Sequence, residues 1–363
     1  MLPQSSIDPH ADLVTLLRQA VDVESVSGNE QELADEVEAL LDSCEHLEVT
    51  RIGNTIAART HLGRPERVVI AGHLDTVPVA GNLPSWVEEG PEGLRVYGRG
   101  TCDMKGGVAV ALRTAVQVTA PARDVTWLFY DCEEVESSRN GLVRVGREHP
   151  DLLAADFAVL MEPTSAGVEG GCQGTCRFTI RTKGVAAHSA RSWLGHNAIH
   201  DLAPVLQRIT EFDAGEVEVD GLLFREGLNA VEVVGGIAGN VVPDAASVKV
   251  NYRFAPDKDP QTAEALMRAH FHEWDLEFDD MAAGARPGLD RPAAAAFIEA
   301  VGAAPRAKYG WTDVARFTEL GIPAVNYGPG DPGKAHADDE FCPAADLETC
   351  HAVLRRWLSE ENR

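Results

Sequence analysis

Predominantly apolar runs predict three buried strands in the first half of the chain. These runs are Val68–Ile70, Val125–Tyr130 and Phe157–Met161. None shows the alternation of polar and apolar residues that is typical of a half-exposed strand, so each is expected to be buried on both faces. Strands of this kind are characteristic of parallel sheets that are covered by helices.

Apolar residues at helical spacing predict helices around these strands. The clearest stretches are Asp12–Val21, Ser27–Leu41 and Val108–Val116, and Ser27 or Asn29 is expected to cap the second helix. Strands that alternate with helices favour an α/β fold with a mainly parallel sheet flanked by helices.

The pattern changes between residues 176 and 287. Half-exposed strands and helices follow one another there in the order strand, helix, strand, strand, helix, strand, which is typical of a ferredoxin-like α+β sheet. The predicted elements are Arg177–Lys183, Asn197–Ile209, Asn229–Ile237, Ala246–Arg253, Thr262–His272 and Leu276–Phe278. We therefore predict an inserted domain at 176–287, with 1–175 and 288–363 together forming the first domain.

Charge excludes some partners. The 363 residues include 57 Asp and Glu against 32 Lys and Arg, a formal net charge of −25. Such a surface repels nucleic acid and anionic membranes, so neither is expected as a partner. No apolar run reaches the roughly 18 residues needed to span a bilayer. Met1–Leu13 lacks the pattern of a secretion signal, and the seven irregularly spaced cysteines are expected to be reduced, so we expect a cytoplasmic protein.

Metal-binding residue types follow the ends of the three buried strands. His73 and Asp75 come after the first, Glu133 and Glu134 after the second, and Glu162 after the third. Open α/β sheets place ligand sites at the carboxyl ends of their strands. These side chains are therefore expected to lie close together.

Two further candidates lie in glycine-rich segments. Asp103 stands in Gly98–Gly107, whose spacing fits neither a dinucleotide fingerprint nor a P-loop, and locally it could equally serve as a helix cap. His336 stands in the loop Tyr327–Glu340, where glycine and proline prevent regular structure.

These residues together suit a pair of metal ions. The predicted ligands are His73, Asp103, Glu134, Glu162 and His336. Two imidazoles and three carboxylates can hold two divalent ions that share one carboxylate, and this donor set suits two Zn²⁺, with Co²⁺ or Mn²⁺ able to substitute. Adjacent side chains of an extended backbone point to different sides, so one of Glu133 and Glu134 can bind metal while the other faces the water as general base.

The motifs, in their order along nearly the whole chain, resemble those of the M20 family of co-catalytic zinc amidohydrolases. They are His73-x-Asp75, Gly98–Gly107 with Asp103, Glu133-Glu134, Glu162-Pro163-Thr164, Gly184 to His188 with Asn197, and His336. The resemblance implies a zinc-peptidase-like catalytic domain with an inserted domain that acts as dimerisation domain and lid.

The resemblance also implies the division of the ligands between the ions. One ion would be held by His73 and Glu162 and the other by Glu134 and His336. Asp103 would bridge the two ions, and the Asp103–Met104 peptide bond would be cis.

The remaining roles are likewise implied by the resemblance. Asp75 would support His73, and Glu133 would be the general base. His188 would reach the active site of the neighbouring subunit in a homodimer and stabilise the oxyanion. Relatives commonly carry a proline after this histidine, whereas this chain has Arg191-Ser192-Trp193.

The substrate implied is a small anionic N-acyl amino acid, with Arg253 and Asn240 as its binding residues. Within the family, Glu162-Pro163-Thr164, Thr312-Asp313 and Arg316-Phe317 resemble members that remove the succinyl group from N-succinyl-LL-2,6-diaminopimelate. Alternatives are removal of the acetyl group from acetylornithine, or an aminoacylase or carboxypeptidase activity. A non-catalytic scaffold would have lost ligands or the base, but all five ligands and Glu133 are present. A dinucleotide-dependent enzyme would need a glycine-rich turn after the first strand, and the sequence has none there.

Overall fold

The computed structural model describes residues 6–91 and 93–359, which form two compact units. The first unit takes the described residues of Met1–Gly170, Gly288–Arg306 and Arg316–Arg363. The second unit takes Gly171–Pro287 and Ala307–Ala315.

Nine α-helices and nineteen strands are assigned within the described residues. The helices are α1 (Leu13–Asp22), α2 (Gln31–Asp42), α3 (Gly106–Gln117), α4 (Gly141–Glu148), α5 (Ala203–Thr210), α6 (Pro260–His270), α7 (Pro292–Val301), α8 (Val314–Glu319) and α9 (Ala344–Ser359). The strands are β1 (Glu48–Ile52), β2 (Thr55–Arg59), β3 (Arg67–His73), β4 (Trp86–Gly90), β5 (Gly93–Tyr97), β6 (Asp124–Tyr130), β7 (Phe157–Leu160), β8 (Glu169–Gly170), β9 (Gly174–Lys183), β10 (Ala187–His188), β11 (Glu216–Val219), β12 (Leu222–Arg225), β13 (Gly227–Gly235), β14 (Val241–Val242), β15 (Ala245–Phe254), β16 (Leu276–Ala282), β17 (Arg306–Ala307), β18 (Ala324–Asn326) and β19 (Phe341–Pro343).

The main sheet has the order β1-β2-β6-β3-β7-β18-β8-β17. Its centre, β6-β3-β7-β18, is parallel, whereas β1, β2 and β8 pair antiparallel. The strands β6 and β7 are buried throughout and β3 at every position after Arg67. The predicted α/β class with a mainly parallel central sheet is confirmed, and its centre brings the ends of β3, β6 and β7 side by side.

The helix starts show one agreement and one correction. Helix α1 begins after Asp12, whose carboxylate accepts a hydrogen bond from the Thr15 amide at 2.9 Å. Helix α2 begins only at Gln31, so the predicted start at Ser27 is wrong. The Ser27 hydroxyl instead donates to the Asp75 carboxylate at 2.7 Å, which removes it from any capping role.

The second unit contains a four-stranded antiparallel sheet of order β13-β15-β9-β16. Side chains from β9 and β15 form one apolar core with α5 and α6. Members of this core include Phe178, Ile180, Val205, Ile209, Val248, Val250, Ala263 and Met267. The helix predicted over 197–209 is shorter in the structure, because α5 begins only at Ala203. The hairpin formed by β11 and β12 was not predicted from the sequence.

The boundaries of the second unit differ from the predicted inserted domain of 176–287. The unit begins at Gly171 because the backbones of Cys172 and Ala285 exchange two hydrogen bonds of 3.0 Å. It also includes 307–315, where the Trp311 indole donates to the Ala283 carbonyl at 3.0 Å.

The structure also bears on the cysteines and on membrane insertion. All seven cysteines are free thiols, and all except Cys44 are buried. Within residues 6–91 and 93–359, no helix has both the length and the apolar character needed to cross a bilayer.

Candidate metal centre

His73 ends β3 and is completely buried. Its Nδ1 lies 3.0 Å from the Asp75 carbonyl oxygen, and because a carbonyl can only accept, Nδ1 carries the proton. The lone pair of Nε2 then faces the Asp103 carboxylate at 3.2 Å. Two acceptors at this distance repel each other unless a proton or a metal ion lies between them.

The carboxylate of Asp75 organises the neighbouring segment. It accepts hydrogen bonds from the backbone amides of Glu133 at 2.9 Å and Glu134 at 3.0 Å, besides the bond from Ser27. Its own contact with the His73 ring is longer, 3.6 Å. Asp75 therefore supports His73 through its carbonyl and positions the two glutamates through its carboxylate.

The segment after β6 is bent, so the expected extended backbone at Glu133 and Glu134 is wrong. Cys132 has a positive φ of 57°, and the Asp75 carboxylate binds the next two amides. As a result, both glutamates place a carboxylate oxygen within 4.8 Å of a ring nitrogen of His73.

Asp103 lies in the turn before α3, and its peptide bond to Met104 is cis, as the resemblance implies. Glu340 holds this turn, since its carboxylate accepts from the amides of Cys102 at 3.0 Å and Asp103 at 3.1 Å. Arg99 forms a buried ion pair of 2.9 Å with the same carboxylate. The sequence patterns assigned no role to Arg99 or Glu340. The one indication that Glu340 lies near the site was its position in the same loop as His336.

His336 and Glu162 complete the site from different parts of the chain. The Nε2 of His336 lies 2.8 Å from a Glu134 oxygen and 3.4 Å from an Asp103 oxygen. Glu162, 5% exposed after β7, groups with His73 and Asp103 within 4.8 Å.

Two groups of potential ligands share Asp103. One consists of His73, Asp103 and Glu162 and the other of Asp103, Glu134 and His336, each with its ligand atoms within 4.8 Å of one another. The donor set is the nitrogen and oxygen combination that suits zinc and similar divalent ions. The residues therefore fit a metal-binding site.

The electrostatics of the site favour a cation. Burial opposes ionisation of Asp103, but the hydrogen bonds from His336 and His73 outweigh it and hold the pKa of Asp103 well below its usual range. Hydrogen bonds to Asp103 and Glu134 raise the pKa of His336 to about 10. Where no metal is bound, protons on the imidazoles supply the positive charge that the carboxylates require.

His188 and Asn240 lie next to each other in the second unit. Both are exposed, and the Ser189 amide donates to the Asn240 carbonyl at 2.9 Å. The Nδ1 of His188 accepts from the Ala190 amide at 3.0 Å, so Nε2 is left as the donor of a neutral ring. The loop that departs from the family pattern is a short 3₁₀ helix, Ser189–Leu194.

Arg253 lies one residue before the end of β15, opposite Thr175 of β9. Its Nη1 is buried and has no hydrogen-bond partner among the described residues. Burial and the nearby Arg177 lower the pKa of Arg253. A guanidinium in this state is suited to receive an anion.

Most of the chain matches the model of a known protein family. Residues 69–360 match the model of peptidase family M20/M25/M40, and the chain belongs to this family. The matched region includes all five candidate metal ligands. The chain is therefore a metal-dependent hydrolase of amide bonds.

Individual relatives cover nearly the full chain. The chain is 52% identical over 357 residues to a putative succinyl-diaminopimelate desuccinylase DapE of Mycobacterium tuberculosis, covering 97% of this chain and 99% of that protein. It is 45% identical over 367 residues to the succinyl-diaminopimelate desuccinylase of Corynebacterium glutamicum, covering 98% of each. The fold matches the YXEP protein of Bacillus subtilis, a dinuclear metal binding peptidase, with a TM-score of 0.70 at 16% identity over 95% of this chain and 96% of that one.

Proposed function

We propose that the protein is a di-zinc amidohydrolase that cleaves N-succinyl-LL-2,6-diaminopimelate into LL-diaminopimelate and succinate. The observation that carries the metal part is the pair of ligand groups sharing Asp103. The substrate part is supported by the names of the two relatives at 45% and 52% identity.

Glu133 is the general base of this proposal. A pair of divalent ions bound at the site supplies a water of lowered pKa and polarises the amide carbonyl. Glu133 accepts the proton of the attacking water and returns it to the leaving amine nitrogen. Asp75 holds the Glu133 amide at 2.9 Å, which keeps the base beside the ligands.

His188 donates from Nε2 to the oxygen that becomes negative as the carbonyl is attacked. The tautomer fixed by the Ala190 amide supports this role. Arg253 binds a substrate carboxylate. This role is supported by its buried Nη1, which has no hydrogen-bond partner among the described residues. Asn240 adds an amide donor to the substrate.

The protein acts as a homodimer formed by the second unit. Its outer strand β13 leaves a row of apolar side chains exposed, with Val231, Val233 and Val234 at 54–56% and Ile237 beyond it at 83%. An apolar edge strand of this kind favours pairing with another strand, and a second copy offers the same edge. In this dimer, His188 reaches the active site of the partner subunit. The protein works in the cytoplasm, where cysteines remain free thiols.

A two-substrate assay tests the proposal. The zinc-loaded protein is given succinyl-diaminopimelate and acetylornithine in parallel, and we expect a kcat/KM at least tenfold higher for the succinyl compound. A preference for acetylornithine would instead establish the alternative, a deacetylase with the same metal chemistry.

A further inference from the structure

A cavity of about 320 Å³ with several charged residues in its lining lies in the first unit. This volume is near the lower end of the range for small-molecule sites, about 300–1,000 Å³. Its charged lining residues are Glu30, Asp131, Arg139, Arg144 and Arg147. Among the described residues that line it, none is one of the five candidate metal ligands. The cavity presents both signs of charge, with one positive charge in excess.

Glu30 is a buried lining residue of this cavity with an acceptor to spare. The residue is 1% exposed, and its Oε1 accepts from the amides of Gly28 at 2.7 Å and Cys132 at 3.2 Å. Its Oε2 is buried and has no hydrogen-bond partner within the described part of the chain. A buried carboxylate oxygen without a donor is unfavourable, so this oxygen is suited to a cationic donor from outside the chain.

Arg144 supplies an unused donor, and Arg139 brings a second guanidinium to the lining. The Nη2 of Arg144 donates hydrogen bonds to the Ile52 carbonyl and the Thr55 hydroxyl, both at 3.1 Å, and to the Asp131 carboxylate. The Nε of Arg144 is buried and without a partner among the described residues. The guanidinium of Arg139 lies directly over Gly28, where a Cβ would collide with it, and so stands beside the amide that binds Glu30.

We propose that this cavity binds a free α-amino acid. The ammonium group is bound by the Oε2 of Glu30, and the carboxylate is bound by Arg139 and Arg144. A simple anion would face the buried Glu30 carboxylate, and a simple cation would face three guanidinium groups. A ligand that carries both charges satisfies both sides.

A metal ion is a poorer occupant of the same place. Glu30, Asp131 and Cys132 could offer three ligand atoms within 4.8 Å of one another. However, the Asp131 carboxylate already accepts from Thr55 at 2.7 Å and from Arg144, and the guanidinium repels a second cation there.

Isothermal titration calorimetry tests the proposal on the full-length zinc-loaded protein. The probes are L-glutamate and L-lysine, with succinate and butylamine as ligands of a single kind of charge. We expect both amino acids to bind and their binding to persist after dialysis against EDTA. The other two probes are expected to bind at least tenfold more weakly to the dialysed protein, in which the metal centre no longer offers succinate a site. Persistence without metal separates this cavity from the metal centre.

Two variants locate the binding. Glu30→Gln keeps the Oε1 acceptor but loses the charge. Arg139→Gln changes a side chain that is 44% exposed, so this variant tests the cavity even if Glu30→Gln folds poorly. Each is expected to weaken amino-acid binding at least tenfold, whereas the control Arg355→Gln, on the exposed face of α9, leaves it unchanged. Unchanged affinity in Arg139→Gln, loss of amino-acid binding with EDTA, stronger binding of succinate than of the amino acids by the EDTA-dialysed protein, or no binding of either amino acid would each overturn the proposal.

Discussion

The two units hold their candidate residues in different ways. In the first unit, protein groups position the reactive side chains, since the Asp75 carboxylate accepts hydrogen bonds from the backbone amides of Glu133 and Glu134. In the second unit, His188 is exposed, and Arg253 keeps a buried N–H without a partner among the described residues. The contrast indicates that the candidate reactive groups are preorganised, whereas the candidate recognition groups keep polar atoms available, as the proposed binding of a ligand and a second subunit requires.

The largest effect is expected from the base of the first unit. Glu133→Gln removes the proton acceptor but keeps the backbone amide that Asp75 binds. We expect kcat to fall by about 10²–10⁴-fold, the usual contribution of general acid–base catalysis, with the metal content unchanged. Steady-state kinetics and elemental analysis measure the two quantities. The exposed Glu136→Gln serves as the matched control, and a Glu133→Gln protein with near-normal kcat would refute the assignment.

The second prediction concerns His188. His188→Ala is expected to lower kcat by about 10²–10³-fold, as removal of an oxyanion donor does. If the histidine serves the partner's site, mixing this variant with Glu133→Gln creates heterodimers with one intact site. Random exchange of subunits should then restore about a quarter of the wild-type activity, because half of the dimers carry one complete site of two. Mixtures no more active than the separate variants would contradict action across the dimer.

A smaller effect is expected at Arg253. Arg253→Gln removes a charged hydrogen bond to the substrate, which is worth about 1.5–3 kcal/mol, so KM should rise by about 10–100-fold with a smaller change in kcat. The control is Arg177→Gln on the neighbouring strand, whose guanidinium pairs with Asp280. Equal KM values for the two variants would remove Arg253 from the substrate site.

The smallest effect is expected at Glu340, which supports the metal site without binding metal. Glu340→Gln keeps an acceptor for the Cys102 and Asp103 amides but leaves Arg99 without its ion pair. The free energy of unfolding should fall by about 1–3 kcal/mol. Urea denaturation measures this loss against the exposed control Glu348→Gln, and equal stability of the two variants would show that the ion pair contributes little.

The sequence predicts which side chains cluster at the candidate metal centre, because each follows a buried apolar strand or stands in a glycine-rich loop. The alternation of elements likewise predicts the parallel centre of the main sheet and the antiparallel sheet of the second unit. These features depend on local patterns, which a single sequence displays.

Contacts between distant residues were not predictable in the same way. The bend at Cys132 depends on the Asp75 carboxylate, 58 residues before Glu133. The role of Glu340 depends on amides that lie 237 and 238 residues earlier in the chain. The inclusion of 307–315 in the second unit depends on side chains such as Trp311, whose partner no local pattern indicates.

Anomalous X-ray diffraction at the zinc edge, from crystals of the zinc-loaded protein, tests the shared metal centre most directly. We expect two peaks per chain, about 3.5–4 Å apart. One should be bound by His73, Asp103 and Glu162 and the other by Asp103, Glu134 and His336. A single peak, or peaks that Asp103 does not bridge, would contradict a two-ion centre built on this carboxylate.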